Sequence, residues 1–142
     1  MTNPLVIADE LLKKEEGFSS DVYPDSKGNR TILYGINLDA SPFTRREGAI
    51  ILKERTTNIY SVLYRRYWFR TLSANRQAVI VNMAYNMGVD GLLGFKKMIA
   101  AIEDKNYELA QLELLDSKAA RELVNRYNRL AAIMLTDKLP GA

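Results

Sequence analysis

Glu15 and Glu16 stand side by side just before Gly17, Asp25 follows Glu16 by nine residues, and Thr31 follows Asp25 by six. Two carboxyl groups across a solvated gap can hydrolyse a glycosidic bond. One, protonated, hands its proton to the leaving oxygen, and the other, ionised, activates water on the opposite face of the sugar when about 6.5–9.5 Å separates them. A threonine hydroxyl can hold that water. The other residue types narrow the choice. The chain has 142 residues with no His and no Cys, which removes Ser-His-Asp triads, thiolate nucleophiles, imidazole bases and the ordinary zinc and haem ligand sets. An acid and a base must then come from Asp, Glu, Lys or Tyr.

Each residue, taken singly, also has a plainer reading. The carbonyl end of a helix disfavours negative charge by roughly 0.3–1 kcal/mol, so stability alone would put Lys where Glu15 and Glu16 stand; yet both could be solvated surface groups. Asp25 alone is a turn former accepting backbone N–H groups, and Thr31 alone an ordinary strand residue. Together they say more. A hairpin folding back over the end of the first helix would face Asp25 and Thr31 toward Glu16.

The elements that must position these groups can be read in order. Asn3-Pro4 is an N-cap followed by proline at the first helical position, Leu5, Ala8, Leu11 and Leu12 recur at helical spacing, and Gly17 closes the helix. From Phe18 to Ser41 that period disappears. Pro24-Asp25-Ser26-Lys27-Gly28-Asn29 is a dense turn signal, and Arg30 to Ile36 reads as a strand, so any sheet is small and made of hairpins. Thr44 and Glu47 have the spacing of a capping box and open a helix to about Leu63 that uses Ile50, Ile51, Ile59, Val62 and Leu63. A cationic aromatic stretch covers 64–70. Ser73 then caps an apolar helix through Val79, Ile80, Met83 and Met87 that Gly88 ends, with further helices at about 92–104, 107–115 and 118–135. The plan is α+β, with most of the core in the C-terminal part.

The net charge of +3 is unevenly spread: residues 1–43 carry 4 basic and 7 acidic groups, whereas 44–142 carry 16 and 10. A basic second part suits attraction to a polyanion, whether nucleic acid, an anionic membrane face or an anionic wall polymer. The apolar run Ala78-Val79-Ile80-Val81 is far short of the ~20 residues of a membrane span. The first residues have no cationic region and meet Asp9 and Glu10 early, so a secretory signal is not visible. Zero cysteines fit synthesis in a reducing cytoplasm.

Three blocks in order carry a resemblance. Glu16-Gly17, Tyr23-Pro24-Asp25-Ser26-Lys27-Gly28 and Thr31-Ile32, with Tyr34-Gly35 one residue on, resemble the N-terminal active-site block of the phage-type lysozymes, the endolysins typified by those of the T-even phages. Asn82 to Gly88, with Gly91 and Gly94-Phe95, is similar to that family's central helix and the turn after it. Asn125-Arg126-Tyr127-Asn128-Arg129 is similar to its late arginine-bearing helix. The similarity spans roughly residues 5–135. It implies a lysozyme-like α+β fold in a single domain: an N-terminal lobe at about 1–43 with a hairpin sheet, a linking helix at about 45–63, a helical lobe at about 64–142, and a sugar cleft between the lobes.

By the same resemblance Glu16 is the general acid, Asp25 the general base or electrostatic stabiliser, and Thr31 the group positioning water. Arg126 matches the arginine that approaches the catalytic glutamate; its plainer reading is an exposed helix cation. Tyr85 and Asn86 match an aromatic and amide pair lining the cleft and binding sugar, although Val81, Met83 and Met87 around Tyr85 equally suit a core position. Trp68 reads as lobe packing rather than a sugar platform. The activity implied is a muramidase that cleaves the β-1,4 bond between N-acetylmuramic acid and N-acetylglucosamine in peptidoglycan, as a monomer without metal or cofactor. Such an enzyme would be made in the bacterial host cytoplasm and act on the wall in the periplasm.

The chain also departs from the family. Leu33 replaces a usual glycine, Ile36 a usual basic residue, and Leu135-Thr136-Asp137 a usual cationic, glycine-bearing tail. Leu33 adds side-chain bulk to a strand beside the cleft, where it could narrow a subsite or shift the hairpin. These departures keep alive a rival reading, a glycan-binding protein on the same fold with weak or no turnover. Nucleic-acid binding through the basic C-terminal part ranks below both, because no groove-reading motif supports it.

Overall fold

The computed structural model describes residues 3–141 and divides into two compact units, Met1–Ile50 and Ile51–Ala142. In the first, α1 (Pro4–Glu16) begins where the Asn3 side chain accepts the N–H of Leu5 at 2.8 Å. It ends at Gly17, which turns to φ 67° while its N–H still reaches the Lys13 carbonyl at 3.1 Å. The helical spacing of Leu5, Leu11 and Leu12 thus marks a real helix, but no residue of α1 is buried.

Strands β1 (Ser19–Pro24), β2 (Arg30–Leu33) and β3 (Ile36–Asn37) form an antiparallel sheet in chain order. Tyr23 lies opposite Thr31, and Ser19 opposite Leu33, so β1 carries extra residues between these pairs. The Ser19 hydroxyl closes that irregularity, donating to the Asp21 carbonyl at 2.7 Å. The strand expected across Arg30 to Ile36 is in fact two strands. Leu33 adopts φ 59° and Gly35 φ 70°, and the chain turns at Tyr34-Gly35 so that Ile36 pairs with Ile32. β-Branched composition hid the turn, because the residue that turns first is a leucine. Arg30 clamps the sheet to the next loop: Nε and Nη2 donate to Asp39 Oδ1 at 2.9 and 2.7 Å, and the Arg30 N–H donates to Asp39 Oδ2 at 2.8 Å.

α2 (Arg45–Leu63) opens with the expected capping box. Glu47 N–H donates to Thr44 Oγ1 at 3.1 Å, and Thr44 N–H to Glu47 Oε1 at 2.9 Å. Of its apolar residues Leu63 is buried and Ile59 partly so, while Ile50, Ile51 and Val62 are exposed.

The second unit continues through α3 (Tyr67–Arg70), α4 (Ala74–Met87), α5 (Val89–Leu93), α6 (Lys96–Glu103), α7 (Tyr107–Leu115), α8 (Lys118–Glu122) and α9 (Val124–Thr136). α4 buries Val79, Ile80, Met83 and Ala84, and α9 buries Tyr127, Leu130, Ala131 and Met134, each set one stripe of a 3.6-residue period. The helix expected over 92–104 is broken between α5 and α6 at Gly94-Phe95. That over 118–135 is broken at Leu123, where φ −120° and ψ 61° leave the helical region. Trp68 is half-buried against this core, edge-on to Phe69 at 6.1 Å between ring centroids, as the packing reading expects. Among the described residues no helix is long and apolar enough to cross a membrane.

Candidate active site

Glu16 is the last residue of α1 and is exposed. Its carboxylate lies on the backbone of Gly35 in the turn after β2. A methyl group at Gly35 would overlap Glu16 Oε2, and would stand 2.6 Å from its Cδ and 3.1 Å from its Cγ.

Asp25 sits at the tip of the β1–β2 hairpin, half-buried. Its Oδ1 accepts the N–H groups of Lys27 at 2.9 Å and Asn29 at 2.8 Å, and its Oδ2 accepts from Asn29 Nδ2 at 3.1 Å. The turn-former reading is therefore correct as far as it goes. The same bonds have a chemical consequence. The Asn29 N–H holds the Asp25 carboxyl below its ordinary value of 3.8 against the opposing effect of burial, helped by the Asn29 side chain and by Lys27. Asp25 is thus kept ionised, which suits a charge-stabilising group and weakens it as a proton acceptor.

Thr31, 3% exposed, is the most enclosed residue described in the first unit. It lies opposite Tyr23 on one side and Asn37 on the other. Its hydroxyl donates to the Asn29 carbonyl at 3.0 Å, so its free lone pairs can only accept. Asn29 therefore joins Asp25 to Thr31, donating to one and accepting from the other. Nothing in its type marked it out beforehand, since asparagine in a turn is ordinary.

In the second unit, Tyr85 projects from α4 and is 50% exposed, so the core alternative does not hold; Met83 and Ala84 take the burial. Tyr85 lines a hollow of about 580 Å³ with Tyr60, Val81, Asn82 and Arg126. Asn86 faces another hollow of about 440 Å³, with Met87, Phe95 and Leu123. Consecutive helical residues point about 100° apart, so the expected pair splits between two surfaces. Asn86 Oδ1 accepts from the Tyr127 hydroxyl at 2.8 Å, leaving its amide N–H groups for a ligand. Burial raises the Tyr127 hydroxyl above its ordinary value of 10.0, and the Arg126 charge opposes that rise.

Arg126 is held by Asn82, whose Oδ1 accepts from Nε at 3.0 Å and from Nη2 at 2.7 Å, with Nη2 also 3.3 Å from the Asn82 carbonyl. Asparagine on a helix gives no sign of such a role in sequence, although Asn82 lies within the motif at 82–88. In the cationic aromatic stretch, Arg70 folds along the surface: Nη1 donates to the Tyr64 carbonyl at 2.8 Å, and the guanidinium lies 5.8 and 5.7 Å from the exposed Tyr64 and Tyr67 rings. Among the described residues no three acidic side chains converge as metal ligands would.

A helix ending on a glutamate, a small hairpin sheet carrying Asp25 and Thr31, and a helical unit built around α4 and α9 define a lysozyme-like α+β fold. The chain belongs to the phage lysozyme family, which it matches over residues 13–129. This is a family of lysozyme-like glycoside hydrolases. It is similar to two Dictyostelium discoideum proteins, probable T4-type lysozyme 2, at 24% identity over 92% of this chain and 94% of that one, and probable T4-type lysozyme 1, at 27% over 91% and 72%. It is also 28% identical, over 96% of its length, to the pre-baseplate central spike protein Gp5 of Enterobacteria phage T4, of which it covers 29%.

Proposed function

We propose that this protein is a muramidase that hydrolyses the β-1,4 bond between N-acetylmuramic acid and N-acetylglucosamine in peptidoglycan strands, with inversion. The observation that carries the reading is the hydrogen-bonded chain Asp25–Asn29–Thr31, which sets an ionised carboxylate and a hydroxyl restricted to accepting side by side in one hairpin. Glu16 gives its proton to the glycosidic oxygen as the bond from C1 breaks. Water held by Thr31 attacks C1 from the opposite face and loses its proton toward Asp25, whose negative charge meanwhile stabilises the cationic sugar. The low basicity of Asp25 assigns it stabilisation first and proton acceptance only once the water has begun to bond. Tyr85 offers a face for a sugar ring, Asn86 an amide donor for an N-acetyl carbonyl, and Arg126 supports the acid.

In this reading the protein works as a monomer, is made in the bacterial host cytoplasm, reaches the wall from the periplasmic side and lyses the cell. The basic second unit favours an anionic wall. Turbidity clearing of permeabilised Gram-negative cells, wild type beside Glu16→Gln, tests it: the variant should keep its melting temperature and lose clearing and the release of reducing ends. Undiminished lysis by Glu16→Gln would remove the mechanism. One observation favours the second reading, a glycan binder without turnover: Leu33, a side chain in a left-handed turn conformation that favours glycine, stands beside the Gly35 that Glu16 rests on. Retained sugar binding by the wild type without new reducing ends would select it.

A further inference from the structure

Resting on the assignment of Glu16 as the acid, we propose that Gly35 is a positioning residue for it: the space of its absent side chain is where the Glu16 carboxylate sits. Five described glycines have positive φ, Gly17, Gly28, Gly35, Gly88 and Gly141. At Gly17, Gly28, Gly88 and Gly141 an added Cβ would meet nothing within 4 Å, whereas at Gly35 it would meet Oε2, Cδ and Cγ of Glu16. Backbone conformation alone therefore explains the other four. At Gly35 a second demand is present, and it comes from one functional side chain.

Both ends of this contact are fixed. The backbone of Glu16 is held by α1 and by the Gly17 N–H on the Lys13 carbonyl at 3.1 Å. Gly35 is held by the pairing of Ile36 with Ile32. Phe18 and Tyr34, two residues after Glu16 and one before Gly35, pack edge to face with centroids 5.4 Å apart and tie the two segments together. A side chain at position 35 therefore cannot be relieved by the backbone. The yielding part is the far end of Glu16, which must retreat by more than ~1 Å to reach ordinary van der Waals separation. A fold tolerates that easily. A general acid that must lie within about 2.6–3.2 Å of the glycosidic oxygen does not, and a misplacement of about 1 Å can cost 10²-fold in rate.

The test uses the full chain with soluble peptidoglycan fragments and five variants. Gly35→Ala should lower kcat by about 100-fold with KM within threefold, because the group that moves acts on the transition state rather than on sugar binding. Gly88→Ala imposes the same left-handed strain at φ 84° in open space, and should lose stability while keeping kcat. Equal kcat losses in the two would assign the effect to strain and overturn the proposal. A wild-type kcat in Gly35→Ala, with Glu16→Gln inactive, would also overturn it while leaving Glu16 as the acid.

A fully active Glu16→Gln would instead remove the underlying assignment. Thermal melts then still report the contact: Gly35→Ala should lower the melting temperature less in a Glu16→Ala background than in wild type. If Gly35→Ala alone does not fold, the double variant should recover folding; failure to recover overturns the proposal.

Discussion

Arg126 donates two hydrogen bonds, from Nε and Nη2, to the single side-chain oxygen of Asn82. The guanidinium fork is thereby oriented from α4, and its direction depends on a neutral partner. Replacing that partner separates geometry from charge. Asn82→Ala should free the side chain and cost about 1 kcal/mol. Asn82→Asp should keep the grip, leave stability unchanged or raised, and still lower turnover, because a carboxylate against Arg126 cancels the positive charge proposed to support the acid. Melting temperature and kcat measured on both variants check this; full activity in Asn82→Asp would show that the charge of Arg126 plays no part.

Leu33 sits at φ 59°, a conformation that costs an L-residue roughly 1–2 kcal/mol relative to glycine. Its side chain is half-buried, so removing it also loses contacts. The two effects separate by comparing Leu33→Ala with Leu33→Gly, which remove almost the same contacts. Within a strand alanine is ordinarily the better choice by about 0.5–1 kcal/mol. Here the order should invert, with glycine the more stable by about 1 kcal/mol in urea denaturation. The usual order would mean the hairpin relaxes in solution to a conformation without the strain.

What the sequence disclosed, and what it concealed, follows the range of the forces involved. Caps are local, so Asn3, Gly17, Thr44 with Glu47, Ser73 and Gly88 could all be read directly, and each does what its residue type suggests. Breaks inside apolar runs are not local. The apolar pattern continues through Gly94-Phe95 and Leu123, although the backbone leaves the helical region at both places. The site divides in the same way. Glu16, Asp25 and Thr31 are proposed to act through their own side chains, and they stand out by type and spacing. Asn29, Asn82 and Gly35 act by holding a neighbour or leaving room for one, and no property of the residue alone reveals that.

Stability should depend on acid more than on neutral pH. Hydrogen bonds from Arg30 hold Asp39, and those from the Thr44 capping box hold Glu47, below their ordinary values of 3.8 and 4.5, as Asn29 does for Asp25. In each case the unfolded chain binds more protons than the native one as pH falls below the ordinary value. The stabilisation is therefore complete above about pH 5 and is lost as pH drops through the lowered native values. With no histidine to titrate, the melting temperature should be nearly flat from pH 5 to 8 and fall below about 4.5. Asp39→Asn should lower the plateau and make the acid limb shallower. An unchanged limb would place the acid sensitivity elsewhere.

Arg76 closes the end of α9. Its Nε donates to the Met134 carbonyl at 2.8 Å and Nη2 to that of Leu135 at 3.2 Å, Nη1 lies 3.8 Å from Asp137 Oδ2, and the guanidinium stacks 3.6 Å from the centre of the Tyr107 ring. Asp137 itself turns left-handed at φ 58° to end the helix, and its carboxylate accepts the Ser73 hydroxyl at 2.6 Å. The absence of a glycine here is thus offset by side chains reaching over from the start of α4. A planar cation with several donors can satisfy two carbonyls while lying flat on an aromatic ring; an ammonium group cannot do both. Arg76→Ala should cost about 2–3 kcal/mol and Arg76→Lys at least half of that, with Ser73→Ala near 1 kcal/mol. Guanidinium chloride denaturation of the three variants decides the matter, and full stability in Arg76→Lys would show that charge alone, rather than the planar fork and its stacking, holds the helix end.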